Sequence, residues 1–237
     1  MDKRYSQFKN PGRGYRAKPF WAWNSELESD ELCRQIRLFK EMGFGGFFMH
    51  SRIGLKTPYL GQKWFDVTRD CIAEAARTDM EAWLYDEDRW PSGPAGGLVT
   101  KDPSCRMKVL RVHRNPESIE TIMSAAIQYW WFAVEFRDTE AVCYRKLSSA
   151  SDELSAGEDR VAFTVEYSPG SSWFNGYTYL DTLSEDAVAE FIQSTHERYR
   201  QEVGEHFGKT VPGIFTDEPN HGPVFRECWG IVHSVPW

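Results

Sequence analysis

The first hundred residues alternate short apolar runs with helical patterns, and this alternation is the feature that most constrains the fold. Apolar runs cover residues 19–24, 44–50 and 80–85, and patterns of helical period lie between them at residues 30–42 and 64–77. Strands and helices that alternate at such short spacing predict a parallel sheet with right-handed crossovers. The runs are apolar throughout, which is typical of strands that are covered on both faces.

Local signals mark the ends and the contacts of these elements. Ser29 is predicted to cap the first helix, because acidic residues follow it in the first turn, and Gly43 is predicted to end that helix. The pair Gly45 and Gly46 indicates that the second strand lies close to a neighbouring backbone. The second helix should turn one apolar side inward, with Phe65, Thr68 and Ile72.

The pattern changes between about residues 105 and 172. Four β-like runs, separated by polar loops, occupy residues 108–112, 129–136, 140–144 and 161–167. They predict an antiparallel β-subdomain that is inserted after the third parallel strand. Insertions at this place are common in barrels, because these loops lie on the functional face.

The strand–helix pattern resumes at residues 177–180. Ser184 is predicted to cap a long helix that ends before Gly208, and a fourth strand follows at residues 211–216. A closed eight-stranded barrel needs roughly 250 residues without insertions. Because the insert occupies residues 105–175 of the 237 in this chain, eight strands cannot fit.

The fold class predicted from these patterns is α/β: a partial (β/α)8 TIM-type barrel of about four βα units with an inserted antiparallel β-subdomain after strand 3. We expect barrel units 1–3 in residues 1–104, the insert in residues 105–175, and unit 4 with a truncated C-terminal segment in residues 176–237. The first and fourth strands would expose edges, and a homodimer would cover them.

Composition excludes several classes of partner. The net charge is −7 and basic residues are scattered, so a nucleic acid is not an expected partner. The N-terminus has no apolar signal sequence, and no apolar run reaches the roughly 18 residues of a membrane span, so we expect a cytoplasmic protein. Five widely spaced cysteines form neither a disulfide framework nor a zinc pattern, and Cys228 is the last of them.

Polar and aromatic residues concentrate where the predicted parallel strands end. Because the carboxyl ends of such strands carry the active sites of barrel enzymes, we expect these side chains to share one rim. The expected catalytic residues are Glu218 and Asp217. The expected substrate-binding residues are Trp23, Asn24, His50, Arg52, Asp86, Glu87, Asp88, Arg89 and Trp90.

Glu218 is the candidate general acid of a glycosidase. Such an enzyme needs two carboxyl groups, and the proton donor needs apolar cover or a nearby negative charge, which Phe215 and Asp217 could supply. The alternatives are that residues 217–219 form a solvated turn, that Glu218 caps the next segment, or that it only binds a ligand.

The run Asp86-Glu87-Asp88 places three carboxylates at one strand end. They could accept hydrogen bonds from sugar hydroxyls or hold Ca²⁺, which prefers oxygen ligands; alternatively, one of them pairs with Arg89 in an ordinary loop. If the strand continues, alternation points Asp86 and Asp88 to one side and Glu87 to the other. His50 is either a structural histidine or a member of the site, and the position of any metal ligand is left open.

Three of these motifs resemble a known family. Residues 19–24, 43–52 and 83–93 resemble the opening of bacterial glycoside hydrolases related to family 106, the α-L-rhamnosidase-like proteins. Residues 216–219 are similar to the acid/base segment on the fourth strand of clan A barrels, with Asp217 where an asparagine often stands. The resemblance implies a TIM-barrel hydrolase with an inserted β-subdomain and a calcium requirement. Its substrate would be a terminal deoxyhexose, and its second catalytic carboxylate would lie on a later strand.

The sequence therefore predicts a glycoside hydrolase that acts on an oligosaccharide or glycoside. The alternative is a catalytically incomplete barrel fragment that binds a saccharide without cleaving it. A sugar isomerase or epimerase is less favoured, because it would need a denser set of His and carboxylate metal ligands.

Overall fold

The computed structural model describes residues 3–221 and 234–236. Its helices are α1 Lys3–Lys9, α2 Ser29–Glu41, α3 Gln62–Arg77, α4 Ile119–Ala125, α5 Glu185–Ser194 and α6 His196–Val203. Its strands are β1 Phe20–Trp23, β2 Gly46–Ser51, β3 Glu81–Tyr85, β4 Lys108–Arg114, β5 Ala126–Arg137, β6 Glu140–Leu147, β7 Glu158–Tyr167, β8 Ile214–Phe215 and β9 Ser234–Pro236. Within this part of the chain, no helix has the length and apolar character needed to cross a bilayer.

Four strands form a parallel sheet in the order β1-β2-β3-β8. All neighbouring pairs are parallel, as the strand–helix spacing predicts. The sheet is open within residues 3–221 and 234–236, with β1 and β8 at its edges, so no closed barrel forms there. The last of these strands is shorter than predicted, since only Ile214 and Phe215 join the ladder.

One face of the parallel sheet packs against α2, α3 and α6. The amphipathic pattern of these helices matches this arrangement, because their apolar sides meet the inward residues of β1, β2 and β3. The predicted inner residues of α3 are all buried. The largest members of this core are Trp21, Trp23, Ile36, Phe47, Met49, Trp64, Phe65, Ile72, Leu84 and Tyr199.

The opposite face of the parallel sheet is aromatic and partly open. We call it the aromatic face and define it by Phe20, Phe48, Trp83, Tyr85 and Phe215. Their rings meet mostly edge to face, with the Phe20 centroid 5.1 Å from that of Phe48 and 5.2 Å from that of Phe215. Phe20 remains 55% exposed, so this face is less covered than the helix side.

The glycine pair before and in β2 lies where the backbone is crowded, as predicted. A Cβ added to Gly45 would lie 2.1 Å from the carbonyl oxygen of Arg13, and one added to Gly46 would lie 2.4 Å from that of Glu81. Only glycine leaves room for these approaches.

The predicted insert forms a five-stranded sheet in the order β6-β5-β7-β4-β9, and all its pairs are antiparallel. Two features were not predicted from the sequence. Helix α4 lies between β4 and β5, and β9 pairs with β4 although it comes from the end of the chain. The predicted C-terminal unit, residues 176–237, therefore contributes a strand to the insert sheet.

Two local predictions are wrong. Ser29 does not cap α2, because Glu28 takes the N-cap position and the Ser29 hydroxyl instead donates to the carboxylate of Asp70 over 2.5 Å. Residues 177–180 form no strand, and Leu180 makes only an isolated bridge to Arg106.

The long helix predicted after Ser184 is two helices. Its cap is confirmed, since the Ser184 hydroxyl accepts a hydrogen bond from the Ala187 amide at 3.3 Å. The helix breaks at Thr195, whose hydroxyl donates to the Phe191 carbonyl over 2.6 Å. This bond competes with the helical pattern, as such back-bonding often does.

Candidate functional site

The loops that follow β3 and β8 lie at the same edge of the sheet. The Asp86 amide donates to the Phe215 carbonyl at 3.3 Å, and the Ser92 amide donates to the Asp217 carbonyl at 2.9 Å. The end of β2 lies beside β3 in the parallel ladder. Acidic residues that are far apart in the sequence thus lie at the same edge of the sheet.

At the centre of this rim, His50 and Glu87 form a buried pair. The His50 Nε2 atom lies 2.8 Å from Glu87 Oε1, and the two side chains are 6% and 1% exposed. Arg52 approaches the same oxygen more loosely, at 3.9 Å.

The environment of this pair favours its uncharged form. Burial, reinforced by the negative charge of Asp217, raises the pKa of Glu87 to about 8, and Arg52 opposes the shift. Burial lowers the pKa of His50 to about 4. At neutral pH the proton therefore resides on the carboxyl group. The other carboxyl oxygen, Glu87 Oε2, is buried with no hydrogen-bond partner among the described residues.

Tyr85 links this pair to the neighbouring strand. Its ring stacks on His50 with centroids 3.7 Å apart, and its hydroxyl donates to the carboxylate of Asp217. Burial and this hydrogen bond raise the pKa of Tyr85 well above its usual value, so the phenol stays a donor. We call Glu87 and Asp217 the carboxyl pair, because the negative charge of Asp217 contributes to the raised pKa of Glu87.

Asp86 is a structural residue and not the sugar ligand expected from the sequence. It is fully buried, and its carboxylate accepts hydrogen bonds from Ser92 at 2.5 Å, Thr216 at 2.6 Å and His196 at 2.8 Å. These donors come from the loop after β3, the loop after β8 and α6. Asp86 therefore ties three segments together and has no exposed oxygen for a substrate.

Asp88 follows the end of β3 at Tyr85, so the alternation predicted for a continuing strand does not apply to it. Its two oxygens accept from Ser51 at 2.6 Å and from Asn175 at 2.9 Å. Arg89 is not paired with one of these carboxylates, the alternative that the sequence left open. Its guanidinium group donates to the carbonyl oxygen of Ser172.

The calcium site implied by the family resemblance does not fit these side chains. Asp86, Glu87 and Asp88 each engage different partners and do not converge. Nowhere in residues 3–221 and 234–236 do three His, Cys, Asp or Glu side chains form a group that could hold a metal ion.

Glu218 lies on the rim but differs from its expected setting. Its side chain is exposed, so the apolar cover expected from Phe215 is not provided by the described residues. Its backbone has φ +43°, in the left-handed region that non-glycine residues rarely adopt. Such strained residues cluster at active sites and ligand clamps.

The remaining predicted rim residues separate into core and surface. Trp23, expected on the rim, is 1% exposed in the helix-side core, where its ring meets Trp21 and Trp64 edge to face. Asn24 is exposed at the end of β1. Trp90 is half-buried, and its carbonyl accepts a hydrogen bond from the indole of Trp173.

Sequence reasoning missed three residues that organise this rim: Tyr85, Ser92 and His196. Tyr85 could have been found, since it is the last residue of a predicted strand and precedes three carboxylates. Ser92 bridges Asp86 and the Asp217 amide, and His196 reaches Asp86 from α6. Nothing in the sequence near Ser92 or His196 signals these contacts. Cys228 lies outside the described residues.

Comparison with known proteins supports the fold. No family model matches the chain, and no curated protein matches it. A solved structure of a rhamnosidase from Novosphingobium sp. PP1Y is similar, with a TM-score of 0.55 and 12% sequence identity. The match covers 97% of this chain and 42% of that one, so the chain spans less than half the length of its structural neighbour. At this level of identity, the similarity shows a likeness of fold.

Proposed function

We propose that this chain forms part of a glycoside hydrolase, with its parallel sheet as four strands of a (β/α)8 barrel and its catalytic groups at the carboxyl rim. The observation that carries the proposal is the carboxyl pair: Glu87 and Asp217 follow adjacent parallel strands and have contrasting environments. The likeness of the fold to a rhamnosidase supports the same proposal.

Glycoside cleavage needs two carboxyl groups in different environments. One carboxyl group must hold a proton at neutral pH to give to the leaving oxygen, and a second must stay ionised as nucleophile or base. Glu87, whose pKa is raised to about 8, meets the first requirement. Asp217 accepts a hydrogen bond from Tyr85, which holds its carboxyl group in position for the second role.

In this proposal, Glu218 is not the general acid that the sequence predicts. It is the exposed carboxyl group next to Asp217, and its backbone lies in the left-handed region. We assign to it the contact with the substrate at the open side of the rim. His50 positions Glu87, and Tyr85 positions Asp217.

The finer assignment, an α-L-rhamnoside as substrate and a relation to family 106, rests on the motifs at residues 19–24, 43–52 and 83–93. The structural neighbour, a rhamnosidase, supports the same choice of substrate.

Hydrolysis of nitrophenyl glycosides, with the α-L-rhamnoside first, tests the proposal. Removing either member of the carboxyl pair, by Glu87→Gln or Asp217→Asn, should lower kcat by at least about 100-fold. The matched control is Asp138→Asn, an exposed aspartate in the turn between β5 and β6, which should leave kcat unchanged.

The pH profile separates the roles within the carboxyl pair. A donor at Glu87 predicts that kcat/KM falls above about pH 8, and that the residual activity of Glu87→Gln loses this basic limb. Saccharide binding without any turnover would contradict the hydrolase and favour a catalytically incomplete binding fragment.

A further inference from the structure

The chain returns from the insert sheet to α5 through a segment that passes the candidate site. We call residues 171–182 the exit segment; it follows β7 and precedes α5. Near its start, the Asn175 side chain donates to the Asp88 carboxylate at 2.9 Å. Near its end, the Thr182 hydroxyl donates to the Asn220 carbonyl at 3.1 Å. The exit segment therefore contacts both loops that carry the carboxyl pair, the loop after β3 and the loop after β8.

Within the exit segment, Tyr179 joins these two loops through a single hydroxyl group. This hydroxyl donates to the Ser92 carbonyl at 2.6 Å and accepts a hydrogen bond from the Asn220 amide at 3.3 Å. The side chain is buried, and burial raises the pKa of Tyr179 to about 12, so the phenol keeps its proton at neutral pH. Gly93 lets the ring lie close to the backbone, since an added Cβ would lie 3.2 Å from it.

Ser92 connects Tyr179 to Asp217. The Ser92 amide donates to the Asp217 carbonyl, and the Ser92 hydroxyl accepts a hydrogen bond from the Asp217 amide, both at 2.9 Å. The same hydroxyl donates to the buried carboxylate of Asp86 at 2.5 Å, which fixes its direction. The residue that Tyr179 bonds thus holds the backbone of Asp217 at two points.

The loop after β8 is therefore held at both of its ends. Asp217 is bonded to the loop after β3, and Asn220 is bonded through its amide by Tyr179 and through its carbonyl by Thr182. Between these ends lies Glu218, with φ +43° and a carbonyl that accepts from the Asn220 side chain at 3.0 Å. Such a backbone conformation persists only where the surrounding structure imposes it. The hydrogen bonds from the exit segment supply this constraint.

We propose that Tyr179 is a positioning residue of the site, through which the exit segment of the insert holds the loop of Asp217 and Glu218 in place against the loop of Glu87. The inference rests on the proposed hydrolase function for its effect on turnover, but the placement of Asp217 can be measured without turnover. The inserted β-subdomain then contributes to the site, because its exit segment fixes the loop that carries one member of the carboxyl pair.

The charge of Asp217 reports where its loop lies. The ionisable groups that face Glu87 are His50, Arg52, Tyr85, Asp86, Asp88 and Asp217. Among these groups, only Asp217 lies on the loop after β8, which Tyr179 holds. Its negative charge contributes to the raised pKa of Glu87, so a loop that moves away lowers that pKa.

The test is Tyr179→Phe, which removes the bridging hydroxyl and keeps the ring. Carboxyl ¹³C NMR titration of a glutamate-labelled chain, with Glu87→Gln to assign the signal, should show that the pKa of Glu87 falls by at least about 0.5 pH unit. The matched control is Tyr177→Phe, which removes a hydroxyl from the same segment, where the ring packs beside Gly97, and should leave the pKa of Glu87 unchanged.

Kinetics of glycoside hydrolysis provide the second readout. In Tyr179→Phe, kcat should fall about tenfold with KM nearly unchanged, and the basic limb of kcat/KM should move to lower pH together with the pKa of Glu87. Thr182→Val, which removes the other hydrogen bond to Asn220, should shift both in the same direction by less. Tyr177→Phe should keep the parent's kcat and pH profile.

An unchanged pKa of Glu87 in Tyr179→Phe would overturn the proposal, even if the variant were less stable. A loss of kcat that is equal at every pH would also overturn it, because it would indicate a merely structural role. A lowered pKa of Glu87 in a chain that cleaves no glycoside would support the hold on Asp217 while refuting the hydrolase, so the two proposals fail in distinguishable ways.

Discussion

Phe47 and Phe48 are consecutive residues of β2, yet they lie on opposite faces of the parallel sheet. Phe47 is fully buried in the core beneath α2 and α3. Phe48 lies on the partly open aromatic face, with its ring centroid 5.3 Å from that of Trp83 and 5.5 Å from that of Phe215. The same type of side chain therefore packs in a closed core on one face and lies on a partly open surface on the other.

The same division continues past the strand ends into the rim. On the side of the aromatic face lie His50, Tyr85 and Glu87, which bond or stack with one another. On the helix side lies Asp86, whose oxygens are occupied by side-chain donors that include His196 of α6. The comparison teaches that the helix-covered face supplies stability, whereas the buried His50–Glu87 pair, with its shifted pKa values, lies on the side of the aromatic face.

Truncating each phenylalanine in turn tests whether the two faces of the sheet differ in this way. Phe47→Ala should lower the free energy of unfolding by about 3–5 kcal/mol, because it leaves a cavity in a closed core. Phe48→Ala should cost about half as much, since its surroundings are already partly open to solvent. Denaturant unfolding measures both. Equal losses would show that the aromatic face is covered as completely as the helix face.

Asp86 and Asp88 provide a second comparison, with a smaller expected effect. Asp86→Ala should destabilise the fold by about 2–3 kcal/mol, because three donors lose their acceptor in a buried place. Asp88→Ala should lower the free energy of unfolding by about 1 kcal/mol, because Asp88 is only half-buried and its removal leaves two donors without this acceptor. If thermal unfolding showed the larger loss for Asp88, Asp86 would not be the tie between the segments.

Sequence periodicity predicted the parts of the fold that depend on local pattern. The parallel order of β1, β2 and β3, the buried side of α3 and the antiparallel insert all follow from alternation and apolar spacing. The crowding at Gly45 and Gly46 was predictable because glycine inside a strand has few other causes.

The rest depends on contacts between distant segments, which leave little trace in the local sequence. Trp23 was placed on the rim because it ends a strand, but alternation turns it inward against α3. The sequence predicts the position of Glu87 on the rim, but not that its carboxyl group holds a proton at neutral pH. That proton depends on burial next to His50, which lies 37 residues away in sequence, and on the charge of Asp217.

The smallest expected effect concerns the pH dependence of stability on the open face. Glu87 has a pKa of about 8 in the fold against a usual 4.5, so between these values the folded protein holds a proton that the unfolded chain has released. Stability from this group therefore falls as the pH rises. His50, at about 4 against 6.5, contributes in the opposite sense between pH 4 and 6.5.

The two contributions offset each other between pH 4.5 and 6.5, which leaves only the Glu87 contribution above that range. The parent chain should lose about 1 kcal/mol of stability between pH 6.5 and 8, and Glu87→Gln should abolish this loss, because the amide does not titrate. The control is Glu218→Gln, which removes an exposed carboxyl group from the same rim and should keep the parent's slope. A Glu87→Gln chain with an unchanged slope would mean that Glu87 is already ionised in the fold, and the carboxyl pair would then lack its proton donor.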